Sequence, residues 1–209
     1  MHRNLWKLGS ALIPAVIAAS VGGWGTPAFA QLAFVERTGQ RECFDAFGAL
    51  TPCDGTGQDG EIQAGVEFPA ARFRDNGDGT VTDRLTHLVW LLDADCLGSE
   101  FWEDALAVVA ALNTGADFGC EDYSASTFAD WRLPNIKELQ SLIDFGHSDP
   151  ALPADHPFVA VRPSAGYWSS TTAAVNRSNA LVVLLSGGNT EGVDKDAQRR
   201  RVWAVRRGK

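Results

Sequence analysis

The sequence predicts an α+β domain of short antiparallel strands and two helices, stapled by disulfides. Three observations carry that class. β-rich runs broken by Gly, Asn and Asp occur early and late, two stretches of helical apolar periodicity lie between them, and the cysteines form an even set of four. The composition agrees: 45% hydrophobic and 21% charged residues among 209 suit a chain that buries a core. With 18 basic against 26 acidic residues the net charge is −8, so the overall field repels nucleic acid and anionic membrane, and binding of either by bulk charge is excluded.

The first segment reads as an address. Arg3 and Lys7 form a basic start, Leu12 to Val21 an apolar centre, and Ala28-Phe29-Ala30 a small-x-small cleavage site, so residues 1–30 are expected to be a signal peptide. Pro14 and Gly22-Gly23 argue against a buried helix there, and the apolar stretch is shorter than the roughly 20 residues of a membrane span. The product, from Gln31 onward, is expected to be secreted, periplasmic or on the cell surface, with no transmembrane span. No lipid-anchoring cysteine follows the cleavage point. In such an oxidising compartment Cys43, Cys53, Cys96 and Cys120 read as two disulfides. Of the three connectivities, the local pairing Cys43–Cys53 and Cys96–Cys120 is expected. Zinc is the competing use, but there is no CxxC and no His beside a cysteine pair.

Residues 31–71 carry Gly, Asp and Thr punctuation with little periodicity and read as a disulfide-stapled arm, and residues 72–209 as the domain. In the domain, Asp75-Asn76-Gly77-Asp78-Gly79 supplies a tight reversal ahead of the β-rich runs Thr80–Thr82 and Leu85–Trp90. An EF-hand aligned on Asn76, Asp78 and Gly79 would place Arg74 and Leu85 where acidic ligands belong, so Asp75, Asp78 and Asp83 are read as turn residues ahead of a calcium site. Trp102, Ala105, Leu106, Val109 and Leu112 then form one helical face, with Ser99 as the expected cap and Glu100, Glu103 and Asp104 at the start. A second helix is expected from Asn135 to about Phe145, opened by an Asn135/Glu138 capping box and stopped by Gly146. Tyr167–Thr172, Ala180–Leu185 and Arg201–Val205 read as antiparallel strands.

The string Asp130-Trp131-Arg132-Leu133-Pro134-Asn135-Ile136-Lys137-Glu138-Leu139, the Tyr167-Trp168-Ser169-Ser170-Thr171 run and the closing Trp203, Val205 and Arg206 together resemble the family of the C-terminal domain of the Legionella collagen-like adhesin, over Arg72 to Arg207. The resemblance implies a C-type-lectin-like fold, also similar to formylglycine-generating-enzyme-like domains. It further implies an exported adhesion module, whose namesake binds sulfated polysaccharide. The chain departs from that pattern. Val109 and Ala204 stand where many relatives carry cysteine, there is no Gly-X-Y tract, and the one dense basic cluster is Arg199-Arg200-Arg201 with Arg206, Arg207 and Lys209 behind it.

No catalytic setting stands out, and an enzyme is not expected. Ser169, His147 and Asp144 could form a triad only on paper, since no nucleophile elbow surrounds any serine. His147 and His156, with Asp149 or Asp155, could hold a metal, but read better as surface histidines. Phosphate loops and dinucleotide fingerprints are absent, and no cofactor is expected. Trp90, Trp102, Trp131, Trp168 and Trp203 are assigned to the core ahead of sugar stacking, and Arg132 to an internal ion pair. Binding groups are expected in the C-terminal loops: Asn176, Arg177, Asn179, Asn189, Glu191, Asp194, Lys195, Arg199 and Arg200. The expected partner is a polysaccharide or a surface protein, contacted through this rim.

Overall fold

The computed structural model describes residues 35–120, 122–123 and 128–208, and the predicted signal peptide at residues 1–30 lies outside them. In the arm, β1 (Cys43–Phe44) and β2 (Leu50–Thr51) pair as a small hairpin, and the Cys43–Cys53 disulfide ties its base. Asp45 Oδ1 accepts the N–H groups of Phe47 and Ala49 at 2.8 and 2.9 Å, which fixes the tip. A short helix α1 (Asp59–Ile62) follows. Its Glu61 carboxylate accepts the Gly55 and Gly57 N–H groups at 2.7 Å each, and these bonds hold it below the usual carboxylate range.

Among the described residues, the domain contains two sheets. β3 (Phe73–Asp75), β4 (Thr80–Asp83) and β5 (Leu88–Leu91) form an antiparallel meander that β11 (Val205–Arg207) completes, in the order β11-β5-β4-β3. The turn carboxylates are used within the chain, as the sequence implied. Asp75 Oδ1 accepts from Gly77 N–H at 2.8 Å, and Asp78 Oδ1 accepts from the Thr80 hydroxyl at 2.5 Å. Asp83 is completely buried against Arg72, which donates from Nε and Nη2 at 3.0 and 2.8 Å.

The second sheet runs β6-β10-β7-β8-β9, with β6 (Ser99–Glu100), β7 (Tyr167–Thr172), β8 (Asn179–Leu184), β9 (Asn189–Asp194) and β10 (Arg200–Arg201). All its pairings are antiparallel except β10 with β7. Two helices lie between the strands, α2 (Trp102–Leu112) and α3 (Ile136–Gln140). The second disulfide, Cys96–Cys120, spans 24 residues around α2, and both bridges follow the expected local pairing.

Three local expectations need correction. Ser99 does not cap α2: it lies in β6, and the helix opens after Phe101 without a side-chain cap, with Glu103 and Asp104 left to complement the dipole. The second helix has its Asn135/Glu138 capping box but ends at Gln140, well before Gly146. Leu142 and Ile143 turn to bonds three residues back, and then Asp144 N–H donates to Ala151 O and Phe145 N–H to Thr38 O. Tertiary acceptors thus replace the helical ones. The final strand expected at 201–205 is split, because the buried Val202, Trp203 and Ala204 carry the chain from one sheet to the other.

The core fills the space around this crossing. Trp90, Trp168 and Trp203 are wholly buried, and Trp203 packs on Phe158, Trp90 and Tyr167 with ring centroids 4.8, 5.2 and 5.5 Å away. Arg132 makes the expected ion pair, forked onto Glu138 at 2.6 and 2.5 Å. Among the described residues, no helix is long and apolar enough to cross a membrane.

Candidate functional site

The nine rim residues divide by strand register. Asn179 is paired with Asp194, so the β7–β8 turn and the loop leaving β9 meet at one end of the sheet. There Asn176, Arg177, Asn179, Asp194 and Lys195 come together. Asn176 Oδ1 accepts from Ser178 N–H and hydroxyl at 3.2 and 2.9 Å, Asp194 Oδ1 accepts from Asp196 and Ala197 N–H, and Lys195 N–H donates to Ser178 O at 3.0 Å. Asn189 lies at the other end of β9, opposite Leu184 and about 17 Å away along an extended strand. Glu191 sits in mid-strand opposite Val182, and Arg200 leans toward it, Nη2 to Oε1 3.9 Å, while donating to Gln198.

Lys195 and Arg199 are both held in place. Lys195 Nζ donates to Thr172 Oγ1 at 2.9 Å and to Arg177 O at 3.1 Å, and lies 4.2 Å from the Trp102 ring centroid. Arg199 Nη1 donates to Glu100 Oε2 at 2.5 Å, with its guanidinium 4.6 Å over the Phe101 ring. The two cation–aromatic stacks use consecutive residues, Phe101 and Trp102, where β6 meets α2. Trp102 is only half-buried, with Nε1 anchored to Ser169 O at 2.8 Å and a ring face left for Lys195. The sequence assigned Trp102 to the core and passed over Phe101. The signal was an adjacent aromatic pair directly after an acidic residue. Within the same basic cluster, Arg201 pairs with Asp95 and Arg206 with Asp130.

The remaining candidates do not assemble a triad. Ser169 is buried in β7 and its hydroxyl donates to Leu181 O at 2.7 Å. His147 pairs instead with Asp144, Nδ1 to Oδ2 3.0 Å, beside an open cleft between arm and domain. His156 stacks on Phe158 with centroids 5.8 Å apart, and among the described residues no three His, Cys, Asp or Glu side chains converge as a metal site.

Burial holds the His156 pKa below the ordinary histidine value, against a weaker pull upward from Asp155. The unfolded chain therefore takes up this proton at higher pH than the folded one, and stability falls as pH drops from about 6.5 through the folded pKa. Melting curves between pH 7.5 and about 5 are expected to lose less stability in His156→Gln than in the wild type. Equal losses would contradict this assignment.

A family model described as the Lcl C-terminal domain matches residues 79–206, more than half of the chain. No curated protein matches the sequence.

Proposed function

The chain belongs to the Lcl C-terminal domain family, and from that membership we propose that it is an exported, adhesion-type recognition module on a lectin-like frame that binds polysaccharide at the rim around Lys195 and Arg199. The single observation that carries this reading is the pair of cations stacked on neighbouring rings, Lys195 on Trp102 beside the Asn176/Asn179 turn and Arg199 on Phe101. A guanidinium and an ammonium held over aromatic rings lose little freedom on meeting sulfate, carboxylate or hydroxyl oxygens, and the amides supply both donors and acceptors. The acidic whole limits long-range attraction, so recognition is local and weakens with salt. Two disulfides suit an oxidising compartment outside the cytoplasm. The reading invokes no catalysis and no cofactor.

A glycan array probed with residues 31–209, with and without calcium, tests it. Lys195→Ala with Arg199→Ala is expected to weaken any bound glycan on the order of 100-fold, as two lost charge-assisted hydrogen bonds would. Arg200→Ala, whose side chain leans toward Glu191, is expected to change it little. Undiminished binding by the folded double variant would remove the rim from the site. A protein-interaction role is the second reading, favoured by Phe47, which is 96% exposed on the rigid arm hairpin. An array without signal, together with capture of one protein that Phe47→Ser abolishes, would select it.

A further inference from the structure

The arm and the domain enclose an open cleft of about 490 Å³, within the range of small-molecule sites. Its arm wall, residues 39–42, 44 and 68–71, lies outside the stretch that the family shares. It also lies at the other end of β8 from the rim. Gly188, just past β8, packs so closely that a Cβ there would stand 3.0 Å from the Phe145 ring, and Phe145 lines the cleft.

The cleft is built into the fold. Phe145 N–H donates to Thr38 O at 2.7 Å, and Gly39, at φ +85°, approaches Asp144 so nearly that a Cβ would fall 2.0 Å from Oδ1. That buried carboxylate accepts Gly146 N–H at 2.8 Å through Oδ1 and fixes His147 Nδ1 through Oδ2, which leaves Nε2 of the half-exposed imidazole to a ligand. Phe44 and Phe145 contribute apolar surface that remains 37% and 52% exposed. Around them stand Arg41, Glu42 and Asp155, groups of both signs.

Mixed charge beside exposed rings selects among ligand classes. A ligand with net charge of either sign would meet an opposing side chain, whereas a hydroxyl donates to a carboxylate and accepts from a guanidinium equally well. The apolar faces of a pyranose ring suit the phenylalanines. We propose that this cleft is a second binding site, for a neutral sugar residue, independent of the cationic rim. The module then grips carbohydrate at two ends of one sheet.

The test is a titration of the isotopically labelled chain, residues 31–209, with methyl α-D-glucoside, methyl α-D-mannoside, methyl β-D-galactoside and N-acetylglucosamine, followed by amide NMR shifts. Sodium glucuronate serves as the charged comparison. Saturable shifts are expected at Gly39, Gly146 and His147 with at least one neutral sugar. Phe145→Ala and Asp155→Asn are each expected to weaken them about tenfold, one hydrogen bond or contact's worth. Lys195→Ala with Arg199→Ala should leave them intact even if the rim reading fails. Three results would overturn the proposal: no saturable shift with any of the four neutral sugars, shifts from glucuronate alone, or shifts that survive both cleft variants. Should Phe145→Ala lose the fold, Asp155→Asn, at an exposed loop position, decides the outcome.

Discussion

Asp83→Ala is expected to lower the unfolding free energy by about 3–5 kcal/mol, the usual result of removing one partner from a buried ion pair. Arg72 is 1% exposed and sits between the rings of Phe68 and Phe73, its guanidinium carbon 4.8 Å from each centroid. Two of its three nitrogens bond Asp83, Nη2 also reaches Ser141 O at 2.5 Å, and Nη1 has no partner among the described residues. Without Asp83 the guanidinium keeps a single carbonyl and stays out of water. The loss extends further, because the same carboxylate accepts Leu85 N–H and the Thr86 hydroxyl at 2.9 and 2.8 Å and so closes the β4–β5 turn. Half-buried Glu36 offers partial relief. Burial raises its pKa, Arg72 lowers it and Asp83 raises it, so deleting Asp83 favours its ionised form. Urea denaturation measures the effect, and the double variant Arg72→Leu, Asp83→Asn is expected to recover part of it, since no lone charge remains. A loss below about 1 kcal/mol, the size of a surface pair, would show that this pair is not anchoring the sheet.

What the sequence revealed and what it concealed divide along the range of the interactions. The capping box is legible because Asn135 and Glu138 are three residues apart and complete their bonds locally. The bridges are legible because both close short loops, between cysteines 10 and 24 residues apart. The early end of α3 is not legible, since the acceptors that draw the chain away, Ala151 O and Thr38 O, belong to distant segments. For the same reason Arg201–Val205 looks like one strand although its middle crosses between sheets. At the rim, loop composition located Lys195 and Arg199 but not the rings beneath them, since Trp102 also completes an apolar helical stripe. Proximity in sequence joins Asn189 and Glu191 to Asp194 and Lys195, whereas the extended strand β9 sets Asn189 at its far end and Glu191 in its middle, and Arg200 belongs to another strand. The cleft left no local trace, being formed only when the arm docks.

The other large effect is expected at Trp203. Trp203→Ala should destabilise the protein by about 3–5 kcal/mol and lower its melting temperature by roughly 6–20 °C, the range for a large aromatic removed from a core of this size. Trp203 is wholly buried at the crossing between the sheets, touching Trp90 from one and Tyr167 from the other, with Phe158 edge-on at 4.8 Å. Its Nε1 donates to Leu91 O at 2.8 Å, so the truncation leaves a cavity and also a buried carbonyl without its donor. Trp203→Phe restores most of the ring volume but not that bond, and is expected to fall between the two. Calorimetry and glycan titration together separate frame from contact surface. A packing residue loses stability while the protein that remains folded binds as before. A ring that stacks on sugar would instead lose affinity at little cost to the melting temperature, and that result at Trp203 would place the recognition surface inside what is here the core.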